Sequence, residues 1–206
     1  MSKLVNDLIK NGYLKTDALI EAFEHINRIE FVPKEFELEA QMDVALPIGY
    51  GQTISQPLVV AMMLELLDPH PEHKILDIGS GSGWTTALLA NIIGQKGKVI
   101  ALETIPTLFE FGKGNADKYD FVKNGVTEFY NLDGSQGFPE QAPYDRILVS
   151  AAVGGAIPQA LKDQLKIGGK MIIPVRNSIV YLEKKSGQEF YKEEFSGFTF
   201  VPFIMK

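Results

Sequence analysis

Hydrophobic and polar positions follow one period in the first third of the chain and another in the rest. From Leu4 to about Phe36 the spacing is helical: in "TDALIEAFEHI", Ala18, Leu19, Ala22, Phe23 and Ile26 fall on one face, and Thr16 is placed to cap the start. A second amphipathic run, "PLVVAMMLELLD", opens on Pro57, which suits a first helical turn because its missing N–H has no partner to lose there. Between them the loop "GYGQTISQP" is held by two helical segments. Past the linker "DPHPEHK" the pattern changes. "KILDIG", "KVIALE", "VTEFYNLD", "YDRILVSAA" and "KMIIPV" are short apolar runs separated by helical or turn-rich stretches. Such alternation predicts a largely parallel sheet, covered on both faces by right-handed crossovers. The end, "NSIVYLEKKSGQEFYKEEFSGFTFVPFIMK", has strand signals divided by "KSGQ" and "SGF", which predict antiparallel strands added at an edge.

The junctions between these elements carry the chemistry. In "KILDIGSGSGW" a strand runs into Gly79, Gly81 and Gly83 before the helix "WTTALLANII". Glycines there permit a tight turn and let a ligand approach the backbone, at the carboxyl edge where α/β sheets bind nucleotides. A dinucleotide fingerprint would need a small residue at position 84, which is Trp84, and no G-x-x-x-x-G-K-[ST] phosphate loop occurs. An adenosine cofactor without a pyrophosphate fits. Glu103, ending "KVIALE" about twenty residues on, suits both ribose hydroxyls. Asp133 and Gly134, in "NLDGSQG", end a third strand: the Asp suits an adenine amino group, although an isolated Asp-Gly pair would read as a turn.

Composition removes other chemistries. The 206 residues include no cysteine, which excludes disulfides, thiol nucleophiles and the usual structural zinc sites. A net charge of −6 argues against a broad nucleic-acid footprint. The polar opening "MSKLVNDLIKNGYLK" reads as neither a secretory signal nor a membrane span, so a cytoplasmic protein is expected. Ser55, Ser80 and Ser82 lie outside any G-x-S-x-G elbow, and His70 and His73 sit in a Pro-rich linker without a third ligand.

Glycine loop, acidic strand end and Asp-Gly strand end, in that order over residues 75 to about 175, resemble the class I S-adenosylmethionine-dependent methyltransferases. The resemblance implies a Rossmann-like, doubly wound, mostly parallel seven-stranded α/β sheet with antiparallel C-terminal strands and an N-terminal helical extension. One domain over 1–206 is expected, with 1–70 as helical cap and acceptor loop and 71–206 as core. Asp77 either assists the methionine end of the cofactor or belongs to the loop's hydrogen-bond network. The Asn/Asp-Pro-Pro-aromatic tetrapeptide of nucleic-acid amino methylases is missing from "VSAAVGGAIP".

The whole set "RIEFVP", "LPIGYGQTISQP", "DGSQGFPEQAPYDRILVSAA" and "FVPF" resembles the protein-L-isoaspartate (D-aspartate) O-methyltransferase family, with "GQTISQP" as its most specific part. The resemblance implies methyl transfer from S-adenosylmethionine, leaving S-adenosylhomocysteine, to the free carboxylate of L-isoaspartyl residues in damaged proteins or peptides. The ester would then cyclise to a succinimide. It implies Ser55 as the active-site residue, Thr53 and Ser55 toward the acceptor, and Gln52, Thr53, Ile54, Gly79, Gly81, Gly83, Glu103, Asp133 and Gly134 toward the cofactor. A monomer without nucleic acid, membrane or metal is expected. Two other readings fit the same core: a methyltransferase of a small-molecule or different protein acceptor, and a cofactor-binding adaptor without turnover.

The loop's composition agrees with carboxylate chemistry. An acceptor of pKa about 4 is ionised at neutral pH and needs no general base. When a carboxylate meets a sulfonium, both charges fade in the transition state, so a paired Lys or Arg would stabilise the ground state more. Neutral donors such as Ser55 and Thr53 orient the oxygen without that cost. Ser55 and Gln56 would also serve as caps for the Pro57 helix.

Overall fold

The computed structural model describes residues 1–204. Its centre is a seven-stranded sheet in the order β5-β4-β3-β6-β7-β8-β9. The strands are β3 (Lys74–Ile78), β4 (Lys98–Leu102), β5 (Thr127–Tyr130), β6 (Tyr144–Val149), β7 (Leu165–Val175), β8 (Ser178–Ser186) and β9 (Glu189–Ser196). β3 pairs in parallel with β4 and β6, β4 with β5, and β6 with β7, whereas β8 and β9 close one edge as an antiparallel meander. The expected fold class is therefore the observed one. From β3 the chain winds outward to β5, then returns to β6 on the other side of β3. That reversal is the topological switch point, where parallel sheets open a crevice at their carboxyl ends.

Side-chain alternation along the strands divides the core in two. Ile75, Val99, Leu148 and Ile172 join one buried cluster, while their chain neighbours Leu76, Ile100, Ile147 and Met171 join the other. Helices α1 (Lys3–Lys10), α2 (Asp17–His25), α3 (Pro57–Leu67) and α4 (Trp84–Ile93) feed the first cluster, and Leu108 adds α5 (Pro106–Asp117). The opposite face has a thinner cover than two full layers of crossover helices. It consists of 3-10 turns at Gly134–Gln136 and Pro139–Gln141 and the five-residue α6 (Gln159–Asp163). "DGSQGFPEQAP" contains Gly134, Gly137, Pro139 and Pro143, and that density of breakers cannot sustain a longer helix.

The N-terminal run is broken where its sequence allows. Gly12, at φ 75°, follows α1, and two 3-10 turns, Arg28–Phe31 and Lys34–Glu39, follow α2. Leu19, Ala22, Phe23 and Ile26 are buried as their spacing predicts, but Ala18 is exposed in the first turn of α2. Thr16 stands at the N-cap position without capping. Its hydroxyl donates to Glu65 Oε2 at 2.8 Å, and Glu65 Oε1 accepts from the Thr16 and Lys15 N–H groups.

The loop expected between helices is a small hairpin of its own. β1 (Leu46–Gly49) pairs antiparallel with β2 (Gln52–Ile54), and the tip is Tyr50-Gly51. Gly49, Tyr50 and Gly51 all have positive φ, at 93°, 55° and 70°, so glycine on either side lets the chain reverse within two residues. The capping expectation for Ser55 and Gln56 also fails. Gln56 makes no side-chain cap. Asp43 takes that role from outside the helix, accepting from Leu58 N–H at 2.8 Å and from Gln56 Nε2 at 3.2 Å.

Candidate active site

The carboxyl ends of β3, β4 and β6 open into a cleft at the switch point, with about 760 Å³ of empty space that includes open solvent at its mouth. Gly79 to Ser82 and Trp84 form its floor, Leu102 to Ile105 one wall, and Ser150 and Ala151 another. The hairpin forms the far side, contributing Ile48, Gln52, Thr53 and Ile54, with Ser55 just beyond it. At the hairpin tip, the Tyr50 hydroxyl donates to Thr107 Oγ1 at 2.9 Å, so β1-β2 reaches across to the first turn of α5.

The glycine loop is shaped by backbone approach as much as by its turn. Gly79, Gly81 and Gly83 have φ of 79°, 51° and 83°. A Cβ on Gly83 would lie 2.4 Å from the carbonyl oxygen of Gly112 on α5, and one on Gly112 would lie 2.6 Å from the carbonyl oxygen of Gly81. Gly83 and Gly112 therefore let the loop and α5 touch. Gly83 is spent on packing and does not line the cleft, unlike Gly79 and Gly81. Gly134 lines it, and has no room for a side chain because Ile78 Cγ2 would lie 2.3 Å from its Cβ.

Glu103 is 6% exposed and is held by backbone donors: Oε2 accepts from Gly81 N–H and Oε1 from Ile105 N–H, each at 2.9 Å. An ionised carboxylate offers about four acceptor positions, so these bonds leave capacity for two ligand hydroxyls. Asp133 is placed differently. It caps the 3-10 turn that follows, accepting from Ser135 N–H at 2.8 Å, and it is its neighbours Leu132 and Gly134 that line the cleft. Asp77 is fully buried beneath the loop. Its Oδ2 accepts from Thr86 Oγ1 at 2.6 Å and Thr85 Oγ1 at 3.1 Å, while Oδ1 has no partner among the described residues. Burial pushes this carboxyl up to about 6, against the two threonine bonds. Asp77 thus belongs to the hydrogen-bond network under the glycines.

Charge is sparse here. Among the described residues that line the cleft there is no Lys, Arg or His, and Glu103 is the one ionisable group. A buried cation, Arg28, stands behind the hairpin and donates to four backbone carbonyls, that of Ser55 among them. Burial lowers its pKa to about 10, which leaves it charged at neutral pH. His70 and His73 remain in the linker, where His70 Nε2 lies 3.0 Å from Asp68 Oδ1. Among the described residues no three His, Asp or Glu are grouped to hold a metal, and no helix is long and apolar enough to cross a membrane.

The family model for protein-L-isoaspartate (D-aspartate) O-methyltransferase matches residues 1–206. The chain belongs to this family. It is 44% identical to the protein-L-isoaspartate O-methyltransferase of Methanopyrus kandleri over 98% of its own length and 90% of that protein's. It is 41% identical to the one from Methanothermobacter thermautotrophicus, over 99% and 94%. Its fold superposes with a TM-score of 0.86 on the crystal structure of a Plasmodium falciparum protein described as a putative enzyme of that name in complex with S-adenosyl-L-homocysteine; the two are 24% identical, over 98% of this chain and 96% of that one.

Within this family member, sequence reasoning missed four contributors. Arg28 and Asp43 act on the hairpin and the α3 start from elsewhere in the chain. Gly112 was hidden inside a helical pattern, and a glycine there without a turn is the signal that could have found it. The end segment Val201 to Ile204 lines the cleft as well. It is tied down by Ala152, whose N–H donates to Val201 O at 2.8 Å and whose carbonyl accepts from Phe203 N–H at 2.9 Å.

Proposed function

We propose that the chain transfers a methyl group from S-adenosylmethionine to the free carboxylate of L-isoaspartyl, and by the family's name D-aspartyl, residues in damaged proteins or peptides. The observation that carries this reading is the juxtaposition of Ser55 and Thr53 with the glycine loop and Glu103 around one cleft that, among the described residues, is lined by no cation. When bound, S-adenosylmethionine supplies an electrophilic methyl on a positively charged sulfur. The residues fit it: Gly79 and Gly81 leave backbone free to be approached, Glu103 keeps acceptor capacity for ribose hydroxyls, and Leu132 and Ile105 offer apolar surface to an adenine. Gln52, Thr53, Ile54 and Gly134 complete the proposed cofactor contacts, and Asp133 acts on them by holding the turn after β5.

The acceptor needs orientation more than activation. Its carboxylate is already ionised at neutral pH, and no proton has to leave. The Ser55 hydroxyl, half-buried at the end of the hairpin, donates to one carboxylate oxygen and aims the other, with Thr53 beside it. A Lys or Arg in that place would hold the ground-state charge more tightly than the transition state, in which the charge is fading. Ser55 is therefore an orienting donor and not a nucleophile.

The reading includes one domain, residues 1–70 capping the core at 71–206, at work as a monomer in the cytoplasm without nucleic acid or membrane. The buried cluster running from Leu4 to Ile179 and the net charge of −6 support it. Incubation with S-adenosylmethionine and an isoaspartyl peptide should add one CH2 to the peptide mass and then, on standing at mild alkaline pH, release methanol to give the succinimide. An unchanged peptide mass would reject the reaction.

A further inference from the structure

Arg28 touches both sides of the cleft's frame without entering the cleft. It lies in the 3-10 turn Arg28–Phe31 and is 2% exposed. Nη2 donates to the carbonyls of Ser55 at 3.1 Å and Val44 at 2.9 Å, and Nη1 to those of Ala40 at 3.0 Å and Met42 at 3.4 Å. The same guanidinium lies over the Trp84 ring, with Cζ 5.3 Å from its centroid. Trp84 begins α4 directly after the glycine loop, is itself buried against Phe23, and lines the cleft. One side chain thus holds the backbone at Ser55 against the residue that ends the cofactor cradle.

We propose that Arg28 is a positioning residue for methyl transfer: by clamping the Ser55 carbonyl while lying over the Trp84 ring, it fixes the acceptor site relative to the cofactor cradle. The inference rests on the methyl-transfer reading above. An in-line displacement tolerates little error, and a misplacement of about 1 Å can cost about a hundredfold in rate. Only a planar guanidinium can fork to carbonyls on separate segments while its charge lies over an indole ring; a Lys ammonium is a point donor. A buried cation is also a poor route to stability compared with a well-packed apolar side chain, so stability alone does not account for it. Its charge is matched by carbonyl dipoles and, through space, by Asp43. No cation is thereby offered to the acceptor.

The test uses the full chain with Arg28→Lys and Arg28→Gln. Trp84 is the chain's single tryptophan, so its emission reports on this packing directly. Both variants should keep a buried-indole emission and bind S-adenosylhomocysteine by calorimetry within about threefold of the wild type, while kcat for an isoaspartyl peptide falls about a hundredfold. A kcat within about threefold of the wild type would overturn the inference. So would a loss of kcat matched by equal losses of cofactor affinity and folded emission, which would make Arg28 a stabilising group only. A wild-type protein inactive on the peptide would overturn the methyl-transfer reading itself, and that failure is seen before any variant is compared.

Discussion

Glu103 accepts the Gly81 N–H on one carboxylate oxygen and the Ile105 N–H on the other, each at 2.9 Å. The end of β4 thereby fixes the glycine loop and the approach to α5 with a single side chain. Glu103→Gln keeps the size but replaces one acceptor oxygen with a donor, so one N–H loses its partner and the remaining capacity for ligand hydroxyls falls. Cofactor affinity should drop about ten- to hundredfold, the scale of a lost hydrogen bond to a charged group. Calorimetric titration with S-adenosylhomocysteine checks this, and an unchanged Kd would remove Glu103 from cofactor binding.

Ser55→Ala removes the orienting hydroxyl and leaves its backbone carbonyl on Arg28. With an isoaspartyl peptide, kcat should fall by at least about tenfold, while S-adenosylhomocysteine affinity moves by less than about twofold. Steady-state kinetics beside calorimetry separates the two. A proportional loss of both would make Ser55 part of the cofactor site instead.

The contact between the glycine loop and α5 is open to a stability test with an internal control. Gly112→Ala would place a Cβ 2.6 Å from Gly81 O and 3.1 Å from Gly83 N, and should cost about 1–3 kcal/mol of stability as well as weaken cofactor binding. Gly114→Ala, two residues along the same helix with open space around it, should instead stabilise by up to about 1 kcal/mol. Urea denaturation of the pair decides it, and equal effects would show that the close approach is not limiting.

Asp77 makes stability depend on pH with a definite sign. Its folded pKa, about 6, lies above the ordinary aspartate value of 3.8, so between these values the folded protein binds more protons than the unfolded chain. Stability from this group therefore falls as pH rises from about 4 to about 6 and is flat above. Asp77→Asn keeps the shape and removes the titration. Unfolding free energies across that window should show the wild type losing up to about 3 kcal/mol relative to the variant as pH rises. Parallel profiles would place the titration elsewhere.

Much of this was readable in the sequence because buried parallel strands are continuous apolar runs and because their ends carry glycine or acid. β3 with Gly79 and Gly81, and β4 with Glu103, are cases where the local pattern and the site coincide. The β1-β2 hairpin was not readable. It pairs over a few residues, includes Pro47, and owes its place to Arg28 and to Tyr50 reaching Thr107, contacts that no local period encodes. The cap on α3 comes from Asp43, and the cover over the cleft at Val201 to Ile204 depends on Ala152; both are long-range hydrogen bonds. Asp133 and Gly83 stood in the right motifs, but the structure uses one to cap a turn and the other to admit α5.

The most direct measurement is a comparison of initial rates on two peptides that differ only in one linkage, L-isoaspartyl or normal L-aspartyl, with methyl-labelled S-adenosylmethionine at saturation. A cleft that orients one carboxylate with neutral donors predicts base-labile label on the isoaspartyl peptide and none above background on its twin. Equal labelling of the two, or labelling of neither, would contradict the account.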